Sequence, residues 1–163
     1  MTSYANALKQ ADIFYQFTAT QLEMISSICE EKIFTAGQIV FEEGANSAEL
    51  YIIAEGEVDI QVNPALVTNQ PDVKFKPATI ATLRRGQSFG EMALVDQGVR
   101  SATARARQDK TRLLLIPRDK LMQLCDTYPP LGYRLMQNLA ADLALKIRNT
   151  DLRIRQGYLS TTP

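Results

Sequence analysis

The stretch that most restricts how this chain can fold runs from Ser88 to Ala106 and reads SFGEMALVDQGVRSATARA. Gly90 lacks a Cβ, so its backbone can approach a ligand closely. An acid, Glu91, comes next, and Arg100 follows nine positions later, after an apolar run and a polar turn. Residues 91–94 can form one helical turn, whose first N–H groups favour an anion. This order of residue types suits a small cyclic phosphate held together with its sugar.

The acid and the base of this stretch predict two different contacts. The guanidinium of Arg100 can bind two phosphate oxygens at once. Glu91 would repel a phosphate, but its carboxylate accepts hydrogen bonds and therefore suits a donor such as a ribose 2′-hydroxyl. Ser101 and the amides after it can add donors. The same two residues can also pair with each other as a salt bridge within the loop, and short motifs of this kind often arise by chance.

The run F-G-E-x-A-L, followed by a short turn and R-S-A-T, resembles the phosphate-binding cassette of the cyclic-nucleotide-binding domain family. This family includes the catabolite activator protein, the regulatory subunits of cAMP-dependent protein kinase and cyclic-nucleotide-gated channels. The resemblance covers residues 11–150. It implies a mainly β fold with flanking helices: an antiparallel β-roll (a jelly-roll barrel, or double-stranded β-helix) with an N-terminal helical segment and two C-terminal helices.

The resemblance also implies a ligand, cAMP or alternatively cGMP, and a set of residues that bind it. Arg100 would neutralise the phosphate, amides of the cassette would complete its cradle, and Glu91 would hold the ribose. The implied ligand-binding residues are Phe89, Gly90, Glu91, Met92, Ala93, Arg100, Ser101 and Ala102. No catalytic residue, metal ligand or cofactor is implied.

The absence of histidine limits the chemistry open to the chain. It removes histidine-based acid–base catalysis, the Ser-His-Asp triad and the usual zinc and haem ligand sets. We therefore expect no enzyme, although one that uses only carboxylates or lysines stays open. Cys29 and Cys125 lie in helical segments and are expected to be buried thiols in a reducing cytoplasm, with a disulfide between them as the alternative. No run of about 18 apolar residues and no secretory signal is present, so no membrane span is expected.

Charge is balanced overall but divided along the chain. Residues 1–99 hold 6 lysines and arginines against 13 acids, whereas residues 100–163 hold 12 against 5. Solvated surface charge is the ordinary interpretation of such a pattern. Attraction between the halves, within or between chains, is an alternative. Binding of the basic half to nucleic acid is a minor one.

The chain in order predicts a leader over residues 1–10, loose or as a short helix, and a helix over residues 18–31. Strands occupy residues 32–116, with turns at Gly37, Gly44 and Gly56. Residues 63–79 contain three prolines, which block a central strand, so a long hairpin loop is expected there.

The last third of the chain predicts two helices within residues 118–150, over Asp119–Asp126 and Leu131–Thr150, and then a frayed helix end and a disordered tail over residues 151–163. The second helix has an apolar residue every four positions, a spacing that drifts by about 40° per step around an α-helix. Such a stripe can pack first on the barrel and later on something else. Polar residues on this helix that could touch a base are Arg134, Asn138 and Asp142.

These expectations define a stand-alone sensor. A winged-helix DNA-binding domain would need roughly 70 more residues. In the family the C-terminal helices move when ligand binds and often meet their copy in a dimer. The output would therefore pass to a second copy or to an unknown effector protein. The alternative is a protein-interaction module that keeps the fold and binds no nucleotide.

Overall fold

The computed structural model describes residues 2–64, 76–96 and 98–161, with side chains described as far as residue 157. Within these ranges eight strands form two four-stranded antiparallel sheets, with helices before and after them. The predicted β-roll with an N-terminal helical segment and two C-terminal helices is confirmed. The helices are α1 (Ala5–Lys9), a 3₁₀ turn (Asp12–Phe14), α2 (Ala19–Ile28), α3 (Met92–Asp96), α4 (Arg118–Thr127) and α5 (Pro129–Thr161). The strands are β1 (Glu30–Phe34), β2 (Ile39–Phe41), β3 (Glu49–Glu55), β4 (Glu57–Val62), β5 (Ala78–Arg84), β6 (Ser88–Phe89), β7 (Thr103–Ala106) and β8 (Thr111–Pro117).

The two sheets have the strand orders β1-β8-β3-β6 and β2-β7-β4-β5. Alternate side chains of a strand point to opposite faces of its sheet. On β7 the small residues Ala104 and Ala106 are buried between the sheets, while Thr103 and Arg105 lie on the other face. The alternation of small and polar residues along this strand therefore corresponds to its inner and outer faces.

The turns predicted at three glycines are present. Gly37, Gly44 and Gly56 have φ values of +86°, +83° and +91°, the left-handed region that other residues rarely occupy. At Gly56 space is also limiting, because an added Cβ would lie 2.5 Å from Oγ1 of Thr111. These glycines let short strands reverse direction and roll up.

The N-terminal helices close one side of the roll. Thr18 caps α2: its hydroxyl accepts a hydrogen bond from the amide of Gln21, and the Gln21 side chain accepts one from the Thr18 amide. This helix ends at Ile28, earlier than predicted, because β1 begins at Glu30 and pairs with β8. The leader forms the short helix α1, whose Leu8 is buried.

Among its described side chains, helix α5 buries apolar residues against the body along its first half only. Leu131, Leu135 and Leu139 are buried, Leu143 is partly buried, and Ile147 is 62% exposed. The drift of the apolar stripe away from the body is thus confirmed. The helix was predicted to end at about Thr150 and to be followed by a frayed helix end and a disordered tail, but α5 continues as a helix to Thr161.

Two further predictions concern the loop over residues 63–79 and the two cysteines. Most of the loop over residues 63–79 lies outside the described residues, and β5 begins at Ala78. Cys29 and Cys125 are free thiols. Both were predicted to be buried, but each is only half-buried.

Although α5 is 33 residues long, neither it nor any other helix in the described ranges is apolar over the length needed to cross a bilayer.

Candidate functional site

The predicted cassette begins with β6 at Ser88, and Gly90 lies at the junction between β6 and α3. Its φ is +80°, and an added Cβ would lie 2.7 Å from Nη1 of Arg100 and 2.9 Å from the carbonyl oxygen of Glu49. Both the backbone conformation and the available space therefore require glycine here. The single helical turn predicted after Gly90 is observed as α3.

Arg100 is held from three sides beneath this junction. Its Nε donates to Oγ of Ser47 at 2.9 Å, its Nη1 to the carbonyl of Gly90 at 3.0 Å, and its Nη2 to the carbonyl of Glu49 at 2.8 Å. Oε2 of Glu49 lies 3.5 Å from the same Nη2. A guanidinium has five N–H donors, and three of them make these hydrogen bonds. One N–H on Nη1 and one on Nη2 donate to no described residue, because Oε2 of Glu49 accepts no hydrogen bond.

Aromatic rings form the wall behind the guanidinium. Its carbon lies 4.2 Å from the ring centroid of Phe41, within the range of a cation–π contact. Tyr51 stacks on Phe89 with centroids 5.0 Å apart. Burial raises the pKa of Tyr51 to about 12, and Glu49 adds to this while Arg100 opposes it. Burial lowers the pKa of Arg100, although the group stays charged near neutral pH because its ordinary pKa is so high.

Glu91 is buried, with 6% of its surface exposed. Its Oε1 accepts a hydrogen bond from Nζ of Lys146 on α5 at 2.6 Å. The alternative in which Glu91 and Arg100 pair with each other is thus wrong: Lys146 pairs with the acid and Glu49 pairs with the arginine. The two charged groups remain available as separate elements of one site.

The remaining predicted residues differ in exposure. Phe89, Ala93 and Ala102 are buried, whereas Met92 and Ser101 are exposed. The hydroxyl of Ser101 lies 3.9 Å from Sδ of Met92, so the two sides of the cassette meet at its surface. The first amides of α3 have no carbonyl partner within the helix and can serve an anion.

Of the three polar residues of α5 that were candidates to touch a base, one is linked to the cassette. Arg134 donates to Gln137 on its own helix, and Asn138 donates to backbone carbonyls near the 3₁₀ turn. Asp142 lies 3.0 Å from Lys146, which bridges it to the cassette. The sequence interpretation missed Lys146. Its position four residues after Asp142 and seven after the buried Leu139, on nearly the same side of the helix, is the signal that could have identified it.

No cluster of three or more histidines, cysteines, aspartates or glutamates that could hold a metal ion occurs among the described residues. The chemistry that the site offers is anion and hydroxyl binding: a buried cation, free amides and a buried carboxylate.

Residues 31–128 match the family model of the cyclic nucleotide-binding domain. Among curated proteins, the chain is 29% identical over 147 residues to the cyclic AMP receptor protein of Thermus thermophilus, covering 90% of this chain and 62% of that protein. It is 31% identical over 117 residues to the cAMP-dependent protein kinase regulatory subunit of Schizosaccharomyces pombe, covering 72% of this chain and 25% of the relative. The chain therefore spans less than two thirds of either relative's length.

Among solved structures, the catabolite activator protein of Thermus thermophilus superposes with a TM-score of 0.73 at 29% identity, covering 90% of this chain and 62% of that one. The similarity thus extends beyond the cassette to the β-roll and its flanking helices.

Proposed function

The chain belongs to the cyclic nucleotide-binding domain family, and from this premise we propose that it is a sensor that binds a cyclic nucleotide, with cAMP as the first ligand to test and cGMP as the second. In this proposal Arg100 binds the phosphate together with the amides of the cassette, and Glu91 accepts the ribose hydroxyl. Ligand binding changes the position of α4 and α5, whose contact with a partner carries the signal. A ligand shifts such an equilibrium only by its difference in affinity for the two states.

One observation carries the proposal: two buried charged groups of opposite sign each keep hydrogen-bonding capacity that the described residues do not use. Arg100 has one N–H left on Nη1 and one on Nη2 after its hydrogen bonds to Ser47, Gly90 and Glu49. Within the described part of the chain, Oε2 of Glu91 has no hydrogen-bond partner either. A phosphate next to a ribose offers the matching acceptor and donor.

Isothermal titration calorimetry with cAMP and cGMP, on protein freed of copurified nucleotide, tests the proposal. Arg100→Ala should lower affinity at least tenfold, because hydrogen bonds to charged groups contribute about 1.5–3 kcal/mol. Arg85→Ala is the matched control, since Arg85 is exposed and its side chain, among the described residues, donates to Gln10 alone. If Arg100→Ala loses its cooperative melting transition, Arg100→Lys, which keeps the charge, replaces it in the titration. Equal affinity in wild type and the folded Arg100 variant would contradict the assignment.

A protein-interaction module that binds no nucleotide is the second candidate. The observation in its favour is that Arg100 and Glu91 already have charged protein partners, Glu49 and Lys146. Folded protein that gives no heat with either nucleotide would establish this candidate. In neither case do we propose catalysis, and purified protein should leave cyclic nucleotide unchanged.

We propose that the partner of α5 is a second copy of the chain, with an unknown effector protein as the alternative. Four apolar side chains beyond the packed half of α5 are more than half exposed: Leu145, Ile147, Leu152 and Ile154. Residues seven positions apart lie on nearly the same side of a helix, so these four form two exposed apolar flanks. Sedimentation equilibrium should show a dimer that dissociates when one flank, Leu145 and Leu152 or Ile147 and Ile154, is changed to glutamine. A monomeric wild type would refute the dimer.

The proposed location is the cytoplasm, which agrees with the two free thiols. The basic charge of residues 100–163 does not lead us to propose nucleic acid as a partner. If the protein retarded duplex DNA in gel electrophoresis, and this retardation weakened steeply as salt was added, nucleic acid would have to be considered as a partner.

A further inference from the structure

A single lysine of α5 connects that helix to the carboxylate of the cassette. Nζ of Lys146 lies 2.6 Å from Oε1 of Glu91, 3.3 Å from the carbonyl oxygen of Ser88 and 3.0 Å from Oδ2 of Asp142. Two of these oxygens, on Glu91 and Ser88, accept hydrogen bonds from the ammonium, whereas Oδ2 of Asp142 lies at ion-pair distance and has no hydrogen-bond partner among the described residues. The shortest of the three contacts joins Lys146 to Glu91, and it is through this carboxylate that Lys146 would act on a bound ligand.

The ammonium is a strong partner for Glu91. Burial disfavours the charge of Lys146, but the carboxylates of Glu91 and Asp142 outweigh burial and raise its pKa. Without this cation, the carboxylate of Glu91 would be buried with no opposite charge in contact, which is costly. The contact also spans 55 positions of sequence, so it depends on α5 lying against the cassette.

Only one of the two carboxylate oxygens of Glu91 is used in this contact. The ammonium holds Oε1, which fixes the rotation of the carboxylate and leaves Oε2 to accept another hydrogen bond. A group that is already held in its binding geometry loses less entropy when ligand arrives. An acceptor fixed in this way distinguishes a sugar with a hydroxyl from one without it.

We infer that Lys146 is a positioning residue, which orients Glu91 from α5 for the ribose 2′-hydroxyl and so links recognition of the sugar to the place of that helix. This inference rests on the proposed nucleotide site and assigns the control of its sugar selectivity to a residue outside the cassette.

The experiment compares the affinities of the nucleotide that binds, cAMP or cGMP, and of its 2′-deoxy analogue, in wild type and in Lys146→Met. The ratio of the two dissociation constants isolates the contribution of the hydroxyl, and its change on mutation is a double-mutant cycle between Lys146 and that hydroxyl. Wild type should favour the ribose form about tenfold or more, as expected for a hydrogen bond to a charged acceptor. The Lys146→Met variant should lower this ratio at least about threefold, and Lys146→Arg, which keeps the charge, should restore most of it.

Arg148→Met is the matched control, because Arg148 is exposed two residues further along the same helix. If Lys146→Met gives no cooperative melting transition, Lys146→Gln replaces it, since its amide is neutral but still polar. A ratio that stays at the wild-type value in the folded variant overturns the inference, even if both affinities fall together. Wild type that binds neither cAMP nor cGMP instead overturns the proposed function, so the two failures are distinct.

Discussion

The carbonyl oxygen of Gly90 accepts a hydrogen bond from Nη1 of Arg100 at 3.0 Å, although ten positions separate the two residues. The same nitrogen would lie only 2.7 Å from a Cβ at residue 90. The glycine and the arginine are therefore fitted to each other, and neither can change without disturbing the cassette.

The variant Gly90→Ala should lose more stability than Gly37→Ala. Both glycines have positive φ, and an alanine there costs roughly 1 kcal/mol from backbone strain. Nothing lies within 4 Å of a Cβ at Gly37, whereas at Gly90 it meets Arg100 and the Glu49 carbonyl. We expect about 2–3 kcal/mol for Gly90→Ala and about 1 kcal/mol for Gly37→Ala in urea unfolding. Equal losses would mean that the close approach has no energetic consequence.

Stability should fall between pH 10 and 12 in a way that depends on Tyr51. Its pKa is raised from an ordinary 10.0 to about 12 by burial and by Glu49, so the unfolded chain releases this proton before the folded protein does. The unfolded state binds fewer protons in that window, and the free energy of unfolding decreases as pH rises. Relative to Tyr51→Phe, wild type should lose about 1 kcal/mol between pH 8 and pH 11.

The control for the Tyr51 measurement is Tyr133→Phe, since Tyr133 is 68% exposed. Urea unfolding at several pH values should show the same pH dependence for this variant as for wild type. If Tyr51→Phe also follows the wild-type curve, burial does not hold the phenol in its neutral form.

The cap of α2 should contribute measurably to stability. Thr18→Ala removes the hydroxyl that accepts from the Gln21 amide at 3.1 Å, and loss of an N-cap typically costs about 1 kcal/mol. Thr20→Ala, within the same helix, should be neutral or slightly stabilising because alanine has the higher helix propensity. Thermal unfolding of the two variants checks this, and similar melting temperatures would refute a special role for the cap.

Asn138 should matter for stability and not for ligand affinity. Its Nδ2 donates to the carbonyls of Ile13 and Tyr15, which fastens α5 to the N-terminal segment. Asn138→Ala should destabilise by about 1–3 kcal/mol, because it leaves these carbonyls without their donor. Nucleotide affinity of the folded variant should stay within about twofold of wild type. A larger loss of affinity would place Asn138 at the ligand after all. Asn149→Ala is the control, since Asn149 is exposed on the same helix.

The sequence by itself determined the local parts of this protein. Positive-φ turns need glycine, so Gly37, Gly44 and Gly56 marked strand reversals directly. The four-residue repeat of α5 drifts at a rate fixed by helix geometry, and so anticipated that Ile147 leaves the body. The order of residues in the cassette identified Glu91 and Arg100 as its charged groups. All of these features depend on contacts or geometry within one element or one turn.

The tertiary structure alone decided which groups meet. Glu49 and Lys146 are far from the cassette in sequence, yet they provide the partners of Arg100 and Glu91. The extension of α5 past residue 150 also depends on tertiary contacts, since Arg153 on that segment donates to the carbonyl of Ile80 on β5. A charge has many possible partners along a chain, and burial within the fold selects one of them because a buried charge must be paired. A local sequence pattern does not specify which partner a buried charge will have.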